Sequence, residues 1–400
     1  MVFTELSYAF FLITSLLVFY LAPKKYNTYP LIIISIVFYW YFAGSFLFVL
    51  LAETVLFYFT LRRIKSMAVF WTVLSAVLGL LAYFKYRLLI ASAIDDVFHL
   101  KLTALMPSAI VAPLAISFFT FEFVHYWIDT REGKIKVHSF PKFLAFIFFF
   151  PTMFAGPIKR YEQFVVQIGD GQPGISSIRS GSLRILIGFF KKIVIADVLS
   201  EWVTVLQTKQ AASIVSPYIL WIGTIAYAFK IYMDFSGYSD IAIGSSKLFG
   251  FTVPENFNNP YMKGNISLFW KSWHMSLTSW IWDYLFLPLS ASLRNLASTP
   301  SKLVAVVAGS SFITMVVVGL WHGADWHFIV WGAYHGILLA VYTVYSRYIK
   351  PLLAKYSWYP GKLFHLFSVG TTFFFVLLSW PFFVTNVSTA VFILRKMFFL

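Results

Sequence analysis

The stretch YPLIIISIVFYWYFAGSFLFVLLAETVLFYFTL, from Tyr29 to Leu61, decides the fold class. It contains no Lys or Arg and a single acidic residue, Glu53. At about 1.5 Å per residue it is too long for one helix across a hydrocarbon core about 30 Å thick, and rather short for two. The stretch therefore predicts two short or tilted membrane helices with a break near Gly44.

Apolar runs of this kind recur along the whole chain. Of its 400 residues, 60% are hydrophobic and only 12% are charged, too few for the surface of a soluble protein of this size. No run alternates polar and apolar residues as a membrane β-barrel requires, so the predicted fold is all-α. We expect one polytopic membrane domain over residues 1–400, with about 10 to 12 transmembrane or re-entrant helices. The other runs are 8–22, 67–83, 102–127, 143–157, 185–205, 217–233, 268–288, 303–320, 326–345 and 363–380.

Basic residues predict the orientation of the first helices. Lys24 and Lys25 follow the first run, and Arg62, Arg63 and Lys65 follow the quoted stretch. The positive-inside rule places both clusters in the cytoplasm, with the N-terminus outside. The first run lacks the charge order of a signal peptide, so we expect it to stay as a helix.

The formal net charge of +15 is concentrated in short loops such as residues 131–136. Binding of anionic lipid headgroups explains this charge, and attraction of an anionic substrate or an acidic partner is the alternative. Nucleic acid is not an expected partner, because a chain buried in lipid presents little surface to a duplex. The absence of cysteine excludes thiol catalysis, disulfides and thiolate metal sites.

Two segments have a polar composition. GDGQPGISSIRSGS, residues 169–182, is predicted to be a surface connection. FTVPENFNNPYMKG, residues 251–264, contains prolines and asparagines that cannot continue a helix.

Three histidines lie in GLWHGADWHFIVWGAYHG, residues 319–336, within an apolar run. On one continuous helix, His327 and His335 would lie about 140° and about 220° round from His322, which argues against a shared metal ion unless Gly323 breaks the helix and redirects the side chains. His322 alone suits a general base, because Gly323 leaves room for a substrate and Trp321 shields the imidazole from water. The alternative is a histidine that packs and bonds a backbone carbonyl. We assign His327 and His335 to structure, with bonds across helices.

A second cluster surrounds His274 in NISLFWKSWHMSLTSWIWDYLFLPL, residues 265–289. Two histidines in separate helices, each beside a tryptophan, indicate two walls of one polar cavity inside the membrane. The adjacent Trp273 and Trp321 are candidate substrate contacts, with interfacial anchoring as the alternative. Asp283 falls within the same apolar run and is a further candidate.

Other polar residues are weaker candidates for substrate binding. Asp234, Ser236 and Asp240, in MDFSGYSD, would line the cavity; the alternative is that Asp234 and Ser236 form a cap or turn together with Gly237. Asn256 and Asn259 would hold the entrance or simply form turns. Four further polar residues are expected to be structural: Glu122 and His125, one helical turn apart, are expected to satisfy each other, and Lys85 and Arg87 are expected to reach a membrane interface.

Taken together, six elements resemble the membrane-bound O-acyltransferases, and specifically their bacterial branch that modifies cell-surface polymers. They occur in family order, and with the segment up to Gly336 they define an expected catalytic core of about 113–336. The elements are PLAISFFTFEFVHYWID (113–129), FFFPTMFAGPIKRYEQF (148–164), MDFSGYSDIAIG (233–244), PENFNNPY (254–261), FWKSWHMSLTSWIWDYLFLPL (269–289) and GLWHG (319–323).

The resemblance implies a catalytic role for His322 and a second polar role for His274 in a tunnel through the membrane. It implies acetyl-CoA or an acyl-loaded carrier protein as a cytoplasmic thioester co-substrate. We expect no bound cofactor and, from the histidine spacing, no metal. The acceptor would be a hydroxyl on the outer side, reached directly or through a secreted partner transferase. The expected location is the plasma membrane of a bacterium, in contact with membrane lipids.

Within the family the sequence leaves the acyl group open. DFSGYSDIAIG followed by PENFNNPY looks most like the branch that acetylates alginate or other polysaccharides, whereas FFFPTMFAGPI after TREGKIK leans toward teichoic-acid D-alanylation. Ile281 and Trp282 stand where acetylating relatives carry a basic residue, and SASLRN replaces a glycine-rich turn. Two other classes of function remain alternatives: a transporter of polar lipids, and a scaffold that recruits an extracellular transferase.

Overall fold

The computed structural model describes residues 6–106, 112–136, 139–169, 173–356, 359 and 361–399. Within these ranges nearly all regular structure is helical, and an isolated β-bridge joins Phe257 to Trp273. The prediction of an all-α protein is confirmed.

The chain forms two compact units. Unit one contains Met1–Phe190 and Gly237–Glu255, and unit two contains Lys191–Ser236 and Asn256–Leu400. One 32-residue helix, Pro217–Leu248, supplies its first part to unit two and its last part to unit one. The single membrane domain expected over residues 1–400 stays a prediction.

Nine helices are numbered here along the first part of the described chain. They are α1 (Leu6–Leu21), α2 (Thr28–Ala43), α3 (Phe46–Thr60), α4 (Met67–Phe98), α5 (Leu102–Leu105), α6 (Ile116–Arg131), α7 (Phe140–Ile147), α8 (Tyr161–Val165) and α9 (Ile175–Phe189). A π-helical segment, Phe190–Ala196, continues α9.

The numbering continues along the rest of the described chain. These helices are α10 (Asp197–Val203), α11 (Lys209–Ile214), α12 (Pro217–Leu248), α13 (Ile266–Trp270), α14 (Met275–Ile281), α15 (Leu287–Arg294), α16 (Pro300–His322), α17 (Trp326–Val344), α18 (Lys350–Leu353), α19 (Lys362–Val384) and α20 (Val387–Met397). The π-helical segments Trp282–Phe286 and Tyr345–Ile349 follow α14 and α17.

Among the described residues, four helices are long and apolar enough to cross a membrane: Met67–Phe98, Pro300–His322, Trp326–Leu353 and Lys362–Val384. Three shorter apolar helices correspond to α1, α2 and α3. The break predicted near Gly44 is confirmed, because α2 ends at Ala43 and Gly44 has a φ of 54°. The total of about 10 to 12 membrane segments stays a prediction.

Proline and glycine inside several apolar runs predict broken helices, and the run 102–127, which contains Pro113, is interrupted: α5 ends at Leu105 and α6 begins at Ile116, after Ala115 with a φ of 62°. Another predicted boundary is wrong. The predicted connection 169–182 is already helical from Ile175. The reason is close helix packing within unit one: a Cβ on Gly181 would lie 2.8 Å from the carbonyl oxygen of Gly244, so only glycine allows this approach.

The run predicted over 217–233 also continues further, because α12 extends to Leu248. Asp234, Ser236 and Gly237 therefore lie inside a helix, and a cap or turn role for them is wrong. Ion pairs with residues outside the helix make the carboxylates compatible with it. In unit one, for example, the Arg184 Nε donates to the Asp240 carboxylate at 2.8 Å.

Unit one has a phenylalanine-rich core that encloses a buried ion pair, Lys159 with Glu122. The expectation that Glu122 and His125 satisfy each other is wrong. His125 is instead bonded by the Tyr161 backbone N–H, which donates to Nε2 at 3.2 Å, and its Nδ1 lies 3.3 Å from the Phe121 carbonyl oxygen. Lys159 lies 37 residues from Glu122, so a short-range sequence pattern could not show this pair.

The expected reach of Arg87 to an interface is also wrong. Its side chain is buried, and its guanidinium donates to the Phe84 carbonyl oxygen at 3.1 Å. Lys85 is half-buried, with Nζ 3.5 Å from the Ser117 hydroxyl.

Candidate functional site

His322 is the last residue of α16, a 23-residue helix. The helix begins where the Thr299 hydroxyl accepts the Lys302 N–H, and it stops before Gly323, which is extended with a φ of −166°. Asp325 then caps α17 by accepting the His327 N–H at 3.4 Å. The segment 319–336 is thus two helices rather than one, so angles on a continuous helix do not describe its histidines.

Glycines hold α16 and α17 together and so set the position of His322. A Cβ on Gly332 would lie 3.0 Å from the Cα of Gly319, and a Cβ on Gly336 would lie 2.9 Å from the Cα of Phe312. Close backbone approach at small residues is a common way to pack helices in membranes. His322 follows Gly319, one of the glycines in this contact, by three residues in α16.

Aromatic rings surround the half-buried imidazole of His322. Its centroid lies 4.7 Å from Trp321, 5.0 Å from Phe383 and 5.1 Å from Trp331, with the last ring perpendicular to it. These rings exclude water from one side of the imidazole while its remaining surface stays accessible.

His274 is buried, at 2% exposure, just before α14. Its backbone is left-handed, with φ 45° and ψ 53°, a conformation that is uncommon for residues other than glycine. Its ring lies 4.6 Å from Phe235 and 6.0 Å from Trp321. Within the described chain Nε2 has no hydrogen-bond partner, which is costly for a buried polar atom.

Asn256 holds the segment that carries His274. It is fully buried, its carbonyl oxygen accepts the Met275 N–H at 2.8 Å, and its side-chain oxygen accepts the Ser276 hydroxyl at 2.6 Å. A further backbone bond joins the Asn258 N–H to the Ser272 carbonyl at 3.0 Å. The polar stretch after α12 therefore folds back onto both sides of His274 and fixes its unusual backbone.

The two predicted tryptophans have different surroundings. Trp321 lies between the two histidines, in contact with both rings. Trp273 is 4% exposed and packs against Phe269, Tyr261 and Trp380. The structure thus brings Trp321 together with the catalytic candidates and places Trp273 in the aromatic core of unit two.

Asp234 forms an ionic cluster in unit two. Its carboxylate lies 3.2 Å from the Lys192 Nζ and 3.7 Å from the Lys230 Nζ, and Lys192 also pairs with Asp197. Ser236 is buried at 3% exposure, and its hydroxyl has no partner among the described residues. Asp234 and Ser236 flank Phe235, the residue that contacts His274.

Asn259 and Asp283 are exposed. Asn259 adopts a φ of 46° and begins a single 3₁₀ turn, Pro260–Met262, which fits the turn alternative. Asp283 lies in the π-helical segment Trp282–Phe286. Their roles in substrate binding, like those of the other candidate residues, stay predictions.

The other two histidines bond across helices, as expected. His327 Nδ1 lies 2.8 Å from the Phe382 carbonyl oxygen of α19. The Ser379 hydroxyl donates to the Val376 carbonyl at 2.6 Å, so it accepts the Nε2–H of His335 at 3.0 Å. These bonds tie α17 to α19 beside the ring cluster of His322.

Sequence reasoning did not identify three rings that contact the histidines. Phe235 was visible as part of MDFSG and Trp331 as part of the histidine-rich stretch, although neither was singled out. Phe383 carried no local signal, because it lies in α19, 61 residues after His322 in the sequence (383 − 322), and contacts it only in the folded chain.

The long apolar helices define a multi-pass membrane protein. His274 and His322, which both contact Trp321, form a candidate proton-transfer site among these helices. Residues 34–380 match the sequence model of MBOAT, the membrane-bound O-acyltransferase family. The chain belongs to this family.

Curated relatives carry three related names. A probable alginate O-acetylase AlgI of Pseudomonas aeruginosa is 35% identical over 85% of this chain and 66% of the relative. A peptidoglycan O-acetyltransferase of Helicobacter pylori is 29% identical over 92% of this chain and 73% of the relative. A teichoic acid D-alanyltransferase of Bacillus subtilis is 30% identical over 68% of each chain. The chain spans about two thirds of the length of the alginate O-acetylases that it matches.

Proposed function

We propose that this protein is an O-acyltransferase that moves an acyl group from a cytoplasmic thioester to a hydroxyl acceptor on the outer side of the membrane. The observation that carries the proposal is the contact of Trp321 with both His322 and His274. Trp321 thus brings together two imidazoles from separate segments of the chain. Acyl transfer needs such a place, where polar side chains act on the donor and the acceptor together. Family membership supports the same chemistry.

His322 is the proposed general base. Its neutral imidazole accepts the proton of the acceptor hydroxyl, and the oxygen forms a bond to the thioester carbonyl carbon. The tetrahedral intermediate collapses as the carbon–sulfur bond breaks. The thiolate leaves and takes the proton back from the imidazolium, so the products are an ester and a thiol.

The surroundings of His322 suit a transient positive charge. Backbone carbonyls at the C-terminus of α16 carry partial negative charge, which favours a cation there. The faces of Trp321, Trp331 and Phe383 are electron-rich and add to this stabilisation where the imidazolium lies over them. The same rings exclude water, which limits hydrolysis of the donor.

His274 is proposed to stabilise the reacting oxygen. Its buried Nε2 has no partner in the described chain, so a hydrogen bond to the acceptor hydroxyl or to the oxyanion would satisfy it. Asn256 and Ser276 hold the backbone on either side of it, which limits its reorganisation during the reaction.

The proposed donor group is acetyl, carried by acetyl-CoA, and the proposed acceptor is a cell-surface polysaccharide or a secreted transferase that passes the group on. The alginate O-acetylases among the relatives support this choice, with 35% identity over most of this chain. D-alanyl transfer from a carrier protein to teichoic acid is the second candidate, supported by the D-alanyltransferases at 30% and 32% identity.

The first experiment replaces His322 by alanine in purified protein and measures release of thiol from the acyl donor. The expected loss is at least about 10²-fold, the usual contribution of a general base. His365→Ala, an exposed histidine in α19, is the matched control and should keep the wild-type rate. A His322→Ala rate near wild type would end the proposal, as would transport of a polar lipid without thioester consumption.

A second experiment identifies the donor. Membranes are incubated with radiolabelled acetyl-CoA or with a D-alanyl carrier protein, and loss of each acyl group is compared between wild type and His322→Ala. Consumption of acetyl-CoA that depends on His322 supports acetyl transfer. Consumption of only the D-alanyl donor would replace acetyl by D-alanyl in the proposal.

A further inference from the structure

One ring of α17, that of Trp331, restrains the plane of the His322 imidazole. The two rings are perpendicular, and their centroids lie 5.1 Å apart. Edge-to-face packing of this kind is a preferred geometry for two aromatic rings. A rotation of the imidazole about its side-chain bonds would break this geometry. Trp331 therefore restrains the directions in which the two ring nitrogens of His322 point.

Trp331 itself has little freedom to move. Its side chain is 1% exposed, and the rings of His335 and Phe383 lie 4.9 and 5.1 Å from its indole. The next residue, Gly332, holds α17 against α16, because a Cβ there would lie 3.0 Å from the Cα of Gly319. Both the backbone and the side chain of Trp331 are thus fixed relative to the helix that carries His322.

His335 packs behind Trp331. The two residues are four apart in α17 and so lie on the same face of the helix. The Nε2–H of His335 donates to the Ser379 hydroxyl at 3.0 Å, and this hydroxyl donates to the Val376 carbonyl oxygen at 2.6 Å. The bond to α19 fixes the rotation of the His335 ring, and this ring in turn supports the indole of Trp331.

Stability alone does not account for a histidine at position 335. Its ring is 1% exposed and lies among the rings of Phe269, Trp270 and Trp331. Within the described residues its Nδ1 has no hydrogen-bond partner, a cost that an apolar ring of similar shape would avoid. Residues that break a local rule of stability in this way are expected where function requires them.

We propose that Trp331 is a positioning residue for acyl transfer, which keeps the His322 ring directed at the acceptor, and that the bond between His335 and Ser379 acts through Trp331. The inference rests on the proposed function, in which His322 is the general base. Trp331 and His335 need not touch a substrate in this role. Their loss should therefore lower kcat and leave KM unchanged.

The test measures kcat and KM for thiol release in purified full-length Trp331→Phe and Trp270→Phe. The two tryptophans are a matched pair, because both are buried in one ring cluster and neither indole N–H has an acceptor in the described chain. Of the two indoles, that of Trp331 contacts His322. Trp331→Phe should lower kcat about 10- to 100-fold, and Trp270→Phe should keep a kcat near that of the wild type. Equal losses of kcat in both variants, or a loss confined to KM, would overturn the proposal.

A double-variant comparison tests the role of Ser379. Ser379→Ala removes the acceptor of His335 and should lower kcat about two- to tenfold in the wild type, with no further loss in Trp331→Phe. Ser368→Ala is the matched control in α19, because the Ser368 hydroxyl donates to the Phe364 carbonyl oxygen, and it should keep the wild-type kcat. An unchanged kcat in Ser379→Ala, or additive losses in the double variant, would overturn this step.

The same assay separates this inference from the proposed function. A His322→Ala rate near wild type would end the proposed function and the positioning role with it. An inactive His322→Ala together with a fully active Trp331→Phe would overturn only the positioning role.

Discussion

Replacing Gly332 by alanine should disturb both the stability of the protein and the position of His322. The new Cβ would lie 2.3 Å from the carbonyl oxygen of Met315 and 3.0 Å from the Cα of Gly319, whereas heavy atoms in contact normally lie about 3.5 to 4.0 Å apart. Helices α16 and α17 would therefore have to separate by about 1 Å or more. Overpacking of this kind costs about 1 to 3 kcal/mol.

The same displacement reaches the site, because His322 follows Gly319 by three residues in α16. A catalytic group that is misplaced by about 1 Å can lose about 10²-fold in rate. We therefore expect Gly332→Ala to lower both the thermal unfolding midpoint in detergent, followed by tryptophan fluorescence, and the rate of thiol release.

Gly309→Ala is the matched control in the same helix. A Cβ at Gly309 would have no atom within 4 Å, so this variant should unfold at the wild-type temperature or above it, with an unchanged rate. If Gly332→Ala and Gly309→Ala gave the same midpoint and the same rate, the close glycine contact would not be what positions His322.

Two further predictions concern buried polar pairs, and both are measured by unfolding in detergent. A double-mutant cycle of Asn256→Ala and Ser276→Ala should show a coupling energy of about 1 kcal/mol. Acyl transfer should be slower in each single variant, because the segment that carries His274 is no longer held by this bond. A coupling energy of zero would contradict a role of this hydrogen bond in holding His274. Lys159→Met should cost about 3 to 5 kcal/mol by leaving the Glu122 carboxyl buried and unpaired, and adding Glu122→Gln should restore part of the loss. If Lys159→Met were as stable as the wild type, this ion pair would not be important for stability.

Features set by neighbouring residues could be predicted from the sequence. The break at Gly44 follows from the length of one apolar stretch, and the irregular path of residues 251–264 follows from its prolines and asparagines. The proximity of His274 and His322 was also predicted, because each histidine lies beside a tryptophan in a separate apolar run, whereas the polar cavity expected between them stays a prediction. The structure adds that one ring, Trp321, contacts both.

Features that depend on distant partners could not be predicted. The polar residues after Met233 appeared to end a helix, but Asp234 pairs with Lys192 and Asp240 with Arg184, so α12 continues through both. The buried Asn256 looked like a turn residue in a polar stretch. Its role depends on Ser276, 20 residues away, and only the folded chain brings the two together.

His274 occupies a backbone conformation that glycine and, to a smaller extent, asparagine adopt at lower cost, whereas most other residues with a Cβ lose about 1 to 2 kcal/mol there. A library of this protein selected for heat resistance alone would therefore be expected to replace the imidazole at this position. Selection for turnover would retain it. Engineering for higher stability should leave His274 unchanged, because stability and activity favour different residues at this position.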